Sequence, residues 1–267
     1  MGAESEPQKN TVHVLAEAIS MPEGVSVELP RGSLGYMTIK SSTRERPNQD
    51  MVLVLETPLG VWLIVADGMG GYIDTPQAVR IFREVLEQEL SESGDIEQVL
   101  IKAHARMNQS IDSQDSAFDF DRYKAGGGVV FSTALLPWGK NQAILHQLGD
   151  VRIIIAGEKP DDTAYETEDQ HDPARPSHVT GCLATDSLVE DALAKLDSTP
   201  KTIDQNDFII LCSDGVTRIL GSELILDTIY EILEAGGSLG EAAEAVCRKS
   251  QRLGSEDDIT CLIYQQR

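Results

Sequence analysis

The stretch from Val61 to Gly71 constrains this chain more than any other. Val61-Trp62-Leu63-Ile64-Val65-Ala66 is an unbroken apolar run that stops at Asp67-Gly68-Met69-Gly70-Gly71. The run reads as a buried strand, and the glycines after it let backbone atoms approach a neighbour closely. A carboxylate at the end of a buried strand, beside bare backbone, suits a hard cation or a phosphate. Taken alone, a glycine-punctuated strand-to-helix turn explains the stretch equally well. The acidic residues elsewhere in the chain break that tie.

Asp50 precedes the strand-like Met51-Val52-Leu53-Val54-Leu55, and Thr57-Pro58-Leu59-Gly60 supplies turn chemistry before the Val61 run. Two strands joined by so short a turn form an antiparallel hairpin, which places Asp50 opposite residues 66–67 and beside Asp67. Phe208 to Cys212 is another buried strand, closed by Ser213-Asp214-Gly215, and repeats the strand-Asp-Gly pattern. Gly149-Asp150 reads as a tight hairpin turn between strands at 142–148 and 151–156, with Asp150 at its tip. Asp257 stands just before a final strand from Ile259 to Tyr264.

In antiparallel sheets strand starts and strand ends share a rim. Five carboxylates on one rim repel one another unless cations sit among them. Oxygen-only ligands suit Mg²⁺ or Mn²⁺ rather than zinc. Two such ions a few ångströms apart deprotonate a bridging water and clamp a phosphoryl group. The carbonyl of Gly68 is open as a further ligand.

The chain is long enough for one large domain or two small ones. At 267 residues with 41% apolar content it can bury a sizeable core. Helices are expected over Pro76–Leu90, 96–111, 188–196, Glu223–Leu233 and 239–253, from apolar spacing and from Pro76 in a first turn. Residues 1–30 are mixed in composition and read as a tail or an added edge strand, with the core starting near Leu34. Segments 113–123 and 158–176 read as polar loops. A formal net charge of -22 argues against nucleic-acid and anionic-membrane partners. Four scattered cysteines without metal spacing read as reduced core residues of a cytoplasmic protein. The N-terminus has no basic segment followed by an apolar run, so no secretory signal is expected. His104 and His146 read as structural, whereas His171 and His178, in the acidic loop, are candidates for substrate contact.

Read together, Asn48-Gln49-Asp50, Asp67-Gly68-Met69-Gly70-Gly71, Leu148-Gly149-Asp150-Val151-Arg152, Cys212-Ser213-Asp214-Gly215 and Asp257-Asp258-Ile259-Thr260 resemble the ordered motifs of the metal-dependent protein phosphatases (PPM, the type 2C Ser/Thr phosphatases). Methionine in the DGMGG motif is similar to the bacterial branch. The resemblance covers roughly residues 33–266. It implies an α+β fold, a four-layer αββα sandwich of two antiparallel sheets flanked by helices, with the phosphatase domain spanning 31–267. It also implies two Mn²⁺ or Mg²⁺ ions and attack on phosphoserine or phosphothreonine by a metal-activated water. By motif position Asp67 would bridge both ions and Gly68 would lend its carbonyl. Asp50 would organise waters or bind one ion, and Asp214 and Asp257 would bind the other. Asp150, with Asp214, would form a third, weaker metal site. Phosphorylated proteins, a Ser/Thr kinase among them, are the implied partners of a monomeric enzyme.

The chain departs from that pattern at several places. The phosphate-gripping arginine falls at Glu45, flanked by Arg44 and Arg46, with Arg46 favoured for the role. Tyr72 stands where bacterial members have His, and the Gly-Glu pair that follows is missing, which leaves the acid for the leaving alkoxide unassigned. The usual Gly-Thr-Thr is Gly128-Val129-Val130, the usual Asp-Asn is Asp257-Asp258, and the flap over 158–178 is short. These departures motivate a second class of reading, a degenerate phosphatase fold that binds a phosphoprotein or partner without turnover.

Overall fold

A computed structural model describes residues 11–111, 126–159 and 163–267. The expected polar loop over 113–123, with Phe118 and Phe120, lies outside the described residues. In chain order the strands are β1 (Thr11–Glu17), β2 (Val25–Leu29), β3 (Gly32–Ile39), β4 (Met51–Thr57) and β5 (Gly60–Gly68). Helices α1 (Thr75–Glu92) and α2 (Ile96–Ile111) follow, then β6 (Gly128–Pro137), β7 (Gln142–Leu148), β8 (Arg152–Ala156), β9 (Thr163–Glu166), β10 (His171–Asp172), β11 (Arg175–Val179) and β12 (Leu183–Ala184). The chain closes with α3 (Val189–Lys195), β13 (Asp197–Thr202), β14 (Phe208–Cys212), α4 (Asp214–Thr217), α5 (Ser222–Glu234), α6 (Leu239–Arg252) and β15 (Ile259–Gln266).

Apart from a separate β10–β11 pair, the strands form two antiparallel sheets. The first runs β1-β4-β5-β6-β7-β13, with β12 paired to β6, and the second runs β2-β3-β15-β14-β8-β9. Helices α1 and α2 lie against the first sheet, and α6, backed by α5, lies against the second. The result is a four-layer αββα sandwich. Among the described residues no helix is long and apolar enough to cross a membrane.

The layering explains why Met51–Leu55 of β4 and Val61–Ala66 of β5 are apolar at every position rather than alternating. Met51, Leu53, Leu55, Trp62, Ile64 and Ala66 pack outward on α1 and α2. Val52, Val54, Val61, Leu63 and Val65 pack inward on the second sheet. A strand covered on both faces needs apolar residues of both parities. The parity also fixes where the acids go. Asp67 continues the inward series 61, 63, 65, and Asp50 continues 52, 54. Both carboxylates therefore emerge at the rim of the gap between the sheets.

Two expectations change. The core starts before Leu34: Val14, Ala16 and Leu29 are already buried, and residues 11–29 add one edge strand to each sheet through β1 on β4 and β2 on β3. The turn at Gly149-Asp150 does not close a hairpin. β7 pairs with β6 and β13, whereas β8 pairs with β14 and β9. The turn carries the chain from one sheet to the other, so Asp150 sits where the sheets part. Gly149 makes this possible at φ +104, a conformation that side chains disfavour. Sequence periodicity locates the two strands but cannot say that they belong to different sheets. Similarly, β9 to β13 are short or polar segments with weak strand signals.

His146, read as structural, is buried on β7 and stacks on Trp62 with ring centroids 6.1 Å apart. Burial pushes its pKa down to about 4, and the charge of Asp197 only partly offsets this. Its unfolded value is near 6.5, so the unfolded state takes up the proton first. Stability is full above about 6.5 and is lost as pH falls toward 4. At pH 5 this one group should remove about 2 kcal/mol relative to pH 8. Denaturant titrations of His146→Phe should therefore show a shallower acid loss than wild type between pH 7.5 and 5. Parallel pH profiles for the two proteins would remove this role.

Candidate metal centre

The β4–β5 hairpin has the expected register. Thr57 pairs with Gly60 and Met51 with Ala66, so Asp50 follows on opposite Asp67, and the Gly68 amide donates to the Gln49 carbonyl at 3.1 Å. Gly68 has no space for a side chain: a Cβ would meet Thr75 Cγ2 at 2.4 Å and Gln49 Cβ at 2.9 Å. The bare backbone lets the DGMGG loop fold against the start of α1, where the Thr75 hydroxyl donates to the Met69 carbonyl at 2.8 Å.

The loop that leads into Asp50 is held by buried polar contacts. Asn48 Nδ2 donates to the Ile19 carbonyl at 2.6 Å and to Thr38 Oγ1 at 2.7 Å. Asp258 accepts the Ser41 amide on one oxygen at 2.7 Å and the Gln49 amide on the other at 2.9 Å. It thus pins both ends of the segment that carries Arg44 and Arg46. The second strand-Asp-Gly element arrives from the other sheet. β14 delivers Ser213, whose hydroxyl donates to Asp50 Oδ2 at 2.8 Å and accepts the Thr260 amide at 3.0 Å. Gly215 lies against the chain before β15, where a Cβ would meet the Asp258 carbonyl oxygen at 1.8 Å. Only glycine lets α4 start this close, and α4 starts with Asp214.

These elements bring the five predicted aspartates to one electrostatic neighbourhood. Asp67 is its centre. Burial holds its carboxyl well above the usual range, and the charges of Asp50, Asp214, Asp257 and Asp150 add to that effect. Burial and Asp258 raise Asp50 likewise, against hydrogen bonds from Thr260 and Ser213. Burial first, then Asp150 and Asp257, push Asp214 up to about 7. Asp50 Oδ1 and Asp214 Oδ1 are buried without any hydrogen-bond partner. Such orphaned acceptors cost about 1–3 kcal/mol each unless something fills them.

Three cations of the chain itself reach into this cluster. Arg44 forks onto Asp257, with Nη1 to Oδ1 at 2.5 Å and Nη2 to Oδ2 at 2.9 Å. Arg46 Nη2 lies 3.6 Å from the same Oδ1. Arg218 Nη2 donates to Asp150 Oδ2 at 3.3 Å and forms an ion pair with Asp214 Oδ2 at 2.7 Å. His171 Nε2 stands 3.0 Å from that Asp150 oxygen. The sequence reading missed Ser213, Asp258 and Arg218 as parts of the site. Arg218 had a legible signal, since it lies four residues after Asp214, one helical turn on. His171 touches Asp150. His178 is on β11, in the wall of a cavity of about 390 Å³ beside Met69 and Tyr72. Tyr72 donates to Asp186 at 2.7 Å, and burial and that contact raise its pKa, so it is a poorer acid than a free tyrosine. All four cysteines are free thiols.

The donor set fits a hard divalent cation. Every candidate ligand is an oxygen, two buried carboxylate oxygens have no partner, and the mutual repulsion is what bound positive charge would relieve. With the side chains where they stand, among the described residues no three His, Cys, Asp or Glu groups close on one point. Arg44 and Arg218 are folded in among the acids, and Asp257 is free for an ion only when Arg44 withdraws.

Comparison with known proteins gives the family and the fold. The family model described as Stage II sporulation protein E (SpoIIE) matches residues 57–267. The serine/threonine phosphatase stp of Listeria welshimeri is 24% identical over 224 residues, covering 76% of this chain and 84% of that protein. The S. agalactiae serine/threonine phosphatase structure aligns with a TM-score of 0.68 at 20% identity, over 88% of this chain and 99% of that one. The catalytic domain of the phosphatase PstP, solved in complex with two manganese ions, aligns with a TM-score of 0.64 at 18% identity, over 91% and 98%.

The crowding has a measurable consequence without any ligand. A folded-state pKa of about 7 for Asp214, above its unfolded value of 3.8, means that its contribution is full below 3.8 and is lost as pH rises through 7. In EDTA, Asp214→Asn should therefore melt several degrees above wild type at pH 8, and the gap should shrink at pH 5. A variant that melts below wild type at pH 8 would contradict the electrostatic account.

Proposed function

The chain belongs to the SpoIIE family and is a bacterial-type metal-dependent protein phosphatase of the PPM, or 2C, class, and from that premise we propose that it hydrolyses phosphoserine and phosphothreonine in proteins through a pair of Mn²⁺ or Mg²⁺ ions. The observation that carries this reading is the position of Asp67, on which the charges of four other aspartates converge. In the proposed arrangement Asp67 and the Gly68 carbonyl would hold the ions together with Asp50, directly or through water, and with Asp214 and Asp257. When bound, such a pair lowers the pKa of a water toward neutrality and screens the phosphoryl charge.

The chain's own residues supply the rest. Ser213 and Asp258 are positioning residues: one orients Asp50, and the other fixes the loop that presents the arginines. Arg46 keeps the looser contact with Asp257, so its guanidinium is the one available to fork onto two phosphate oxygens. Arg44 forks onto Asp257 and would have to release it for an ion to bind there. The strongly acidic chain suits basic phosphorylated segments as substrates, including those of a Ser/Thr kinase.

Purified protein should hydrolyse a phosphothreonine peptide with Mn²⁺ or Mg²⁺ and stop with EDTA. Asp67→Asn should lower kcat by roughly a hundredfold or more. Arg46→Ala should raise KM about tenfold or more with a smaller change in kcat, as loss of a charge-assisted contact predicts. Absence of turnover with every metal in folded protein would replace this reading with a binding module. A large KM effect at Arg44 and none at Arg46 would exchange the two arginines.

A further inference from the structure

One part of the acidic cluster is already occupied by the chain itself. Asp150, at the crossing turn between the sheets, and Asp214, at the start of α4, both face Arg218, which directly follows α4. The guanidinium donates to Asp150 Oδ2 at 3.3 Å and forms an ion pair with Asp214 Oδ2 at 2.7 Å. His171, from β10, approaches the same Asp150 oxygen at 3.0 Å. Asp150 and Asp214 are the pair that the family resemblance assigns to a third, weaker ion. The remaining oxygen of Asp214, Oδ1, is buried and has no partner. It is therefore the oxygen of Asp214 left for the proposed ion pair.

We infer that Arg218 is a resident cation standing in place of a third divalent ion, so that this chain carries a two-ion centre. The inference rests on the two-ion reading above. An arginine suits the part because its charge does not titrate and its planar fork can serve two carboxylates at once. It is also tethered one turn from Asp214, so it holds the place at no cost in dissociation. A weakly held ion arriving from millimolar solution would have to expel it and leave the guanidinium without its carboxylates. Unlike an ion, the guanidinium cannot deprotonate a water, so its contribution is limited to neutralising and positioning Asp150 and Asp214.

The test counts ions rather than turnover. Mn²⁺ uptake by the full chain should be followed by calorimetry and by the free-Mn²⁺ electron paramagnetic resonance signal, with no substrate present. Wild type should bind two Mn²⁺ and show no further uptake at millimolar concentration. Arg218→Ala should gain a third ion, held at least tenfold more weakly than the first two. Arg218→Lys should stay at two, and Arg218→Ala combined with Asp150→Asn should return to two. The Arg218 side chain is 44% exposed, so truncation should leave the fold intact, and circular dichroism would check it. Three ions in wild type, or two in a folded Arg218→Ala, would overturn the inference and leave the two-ion reading standing. No ion in wild type would overturn both.

Discussion

Repulsion among buried carboxylates is the constraint on which the rest of this structure depends. Asp50, Asp67, Asp150, Asp214 and Asp257 come from both sheets and from the turn between them, and the charges of Asp50, Asp150, Asp214 and Asp257 each raise the proton affinity of at least one other member. Nothing in the hydrophobic effect would gather them. They are gathered because the strands that carry them are held by two large apolar layers, inside the sandwich and between β4–β5 and α1–α2. Burial of that apolar surface offsets the cost of the acidic rim. The fold thus stores electrostatic strain at one edge, where bound positive charge releases it.

The chain manages the strain in the meantime with its own cations. Arg44 closes on Asp257, and Arg218 closes on Asp214 and Asp150. The two arginines differ in what they block. Arg44 lies on the loop pinned by Asp258, and it takes both oxygens of Asp257. Arg218 sits at the end of a helical turn and leaves one oxygen of Asp214 open. Asn48, Ser213 and Asp258 make the arrangement reproducible: Asn48 donates to the Ile19 carbonyl, Ser213 to the Asp50 carboxylate, and Asp258 accepts the Gln49 amide.

Much of this was legible in the residues. Short apolar runs ending in Asp-Gly identified β5 and β14, and the Pro58-Leu59 turn set Asp50 beside Asp67 because a two-residue connection fixes the register of a hairpin. Helices α1, α2, α5 and α6 followed from apolar spacing. The turn at Asp150 is not legible locally, because adjacency in sequence predicts pairing and the chain changes sheets there instead. The strands β1 and β2 give a weak signal because edge strands carry only one apolar face. Arg218 has an ambiguous signal, since a cation after an acidic helix start reads first as an ordinary i,i+4 pair.

The division between sequence and structure follows from range. The sequence by itself determined what depends on neighbours within a few residues: the buried strands, their acidic ends, the glycines that must stay bare, the oxygen-only chemistry and the ordered motifs of a phosphatase. Tertiary structure decided what depends on residues far apart. It set which sheet each strand joins, which carboxylates share one electrostatic field, and which arginine faces which acid. Pairings such as Ser213 with Asp50, Asp258 with Gln49 and Arg218 with Asp150 join residues separated by 163, 209 and 68 positions. No local pattern encodes such contacts, because packing of the two sheets creates them.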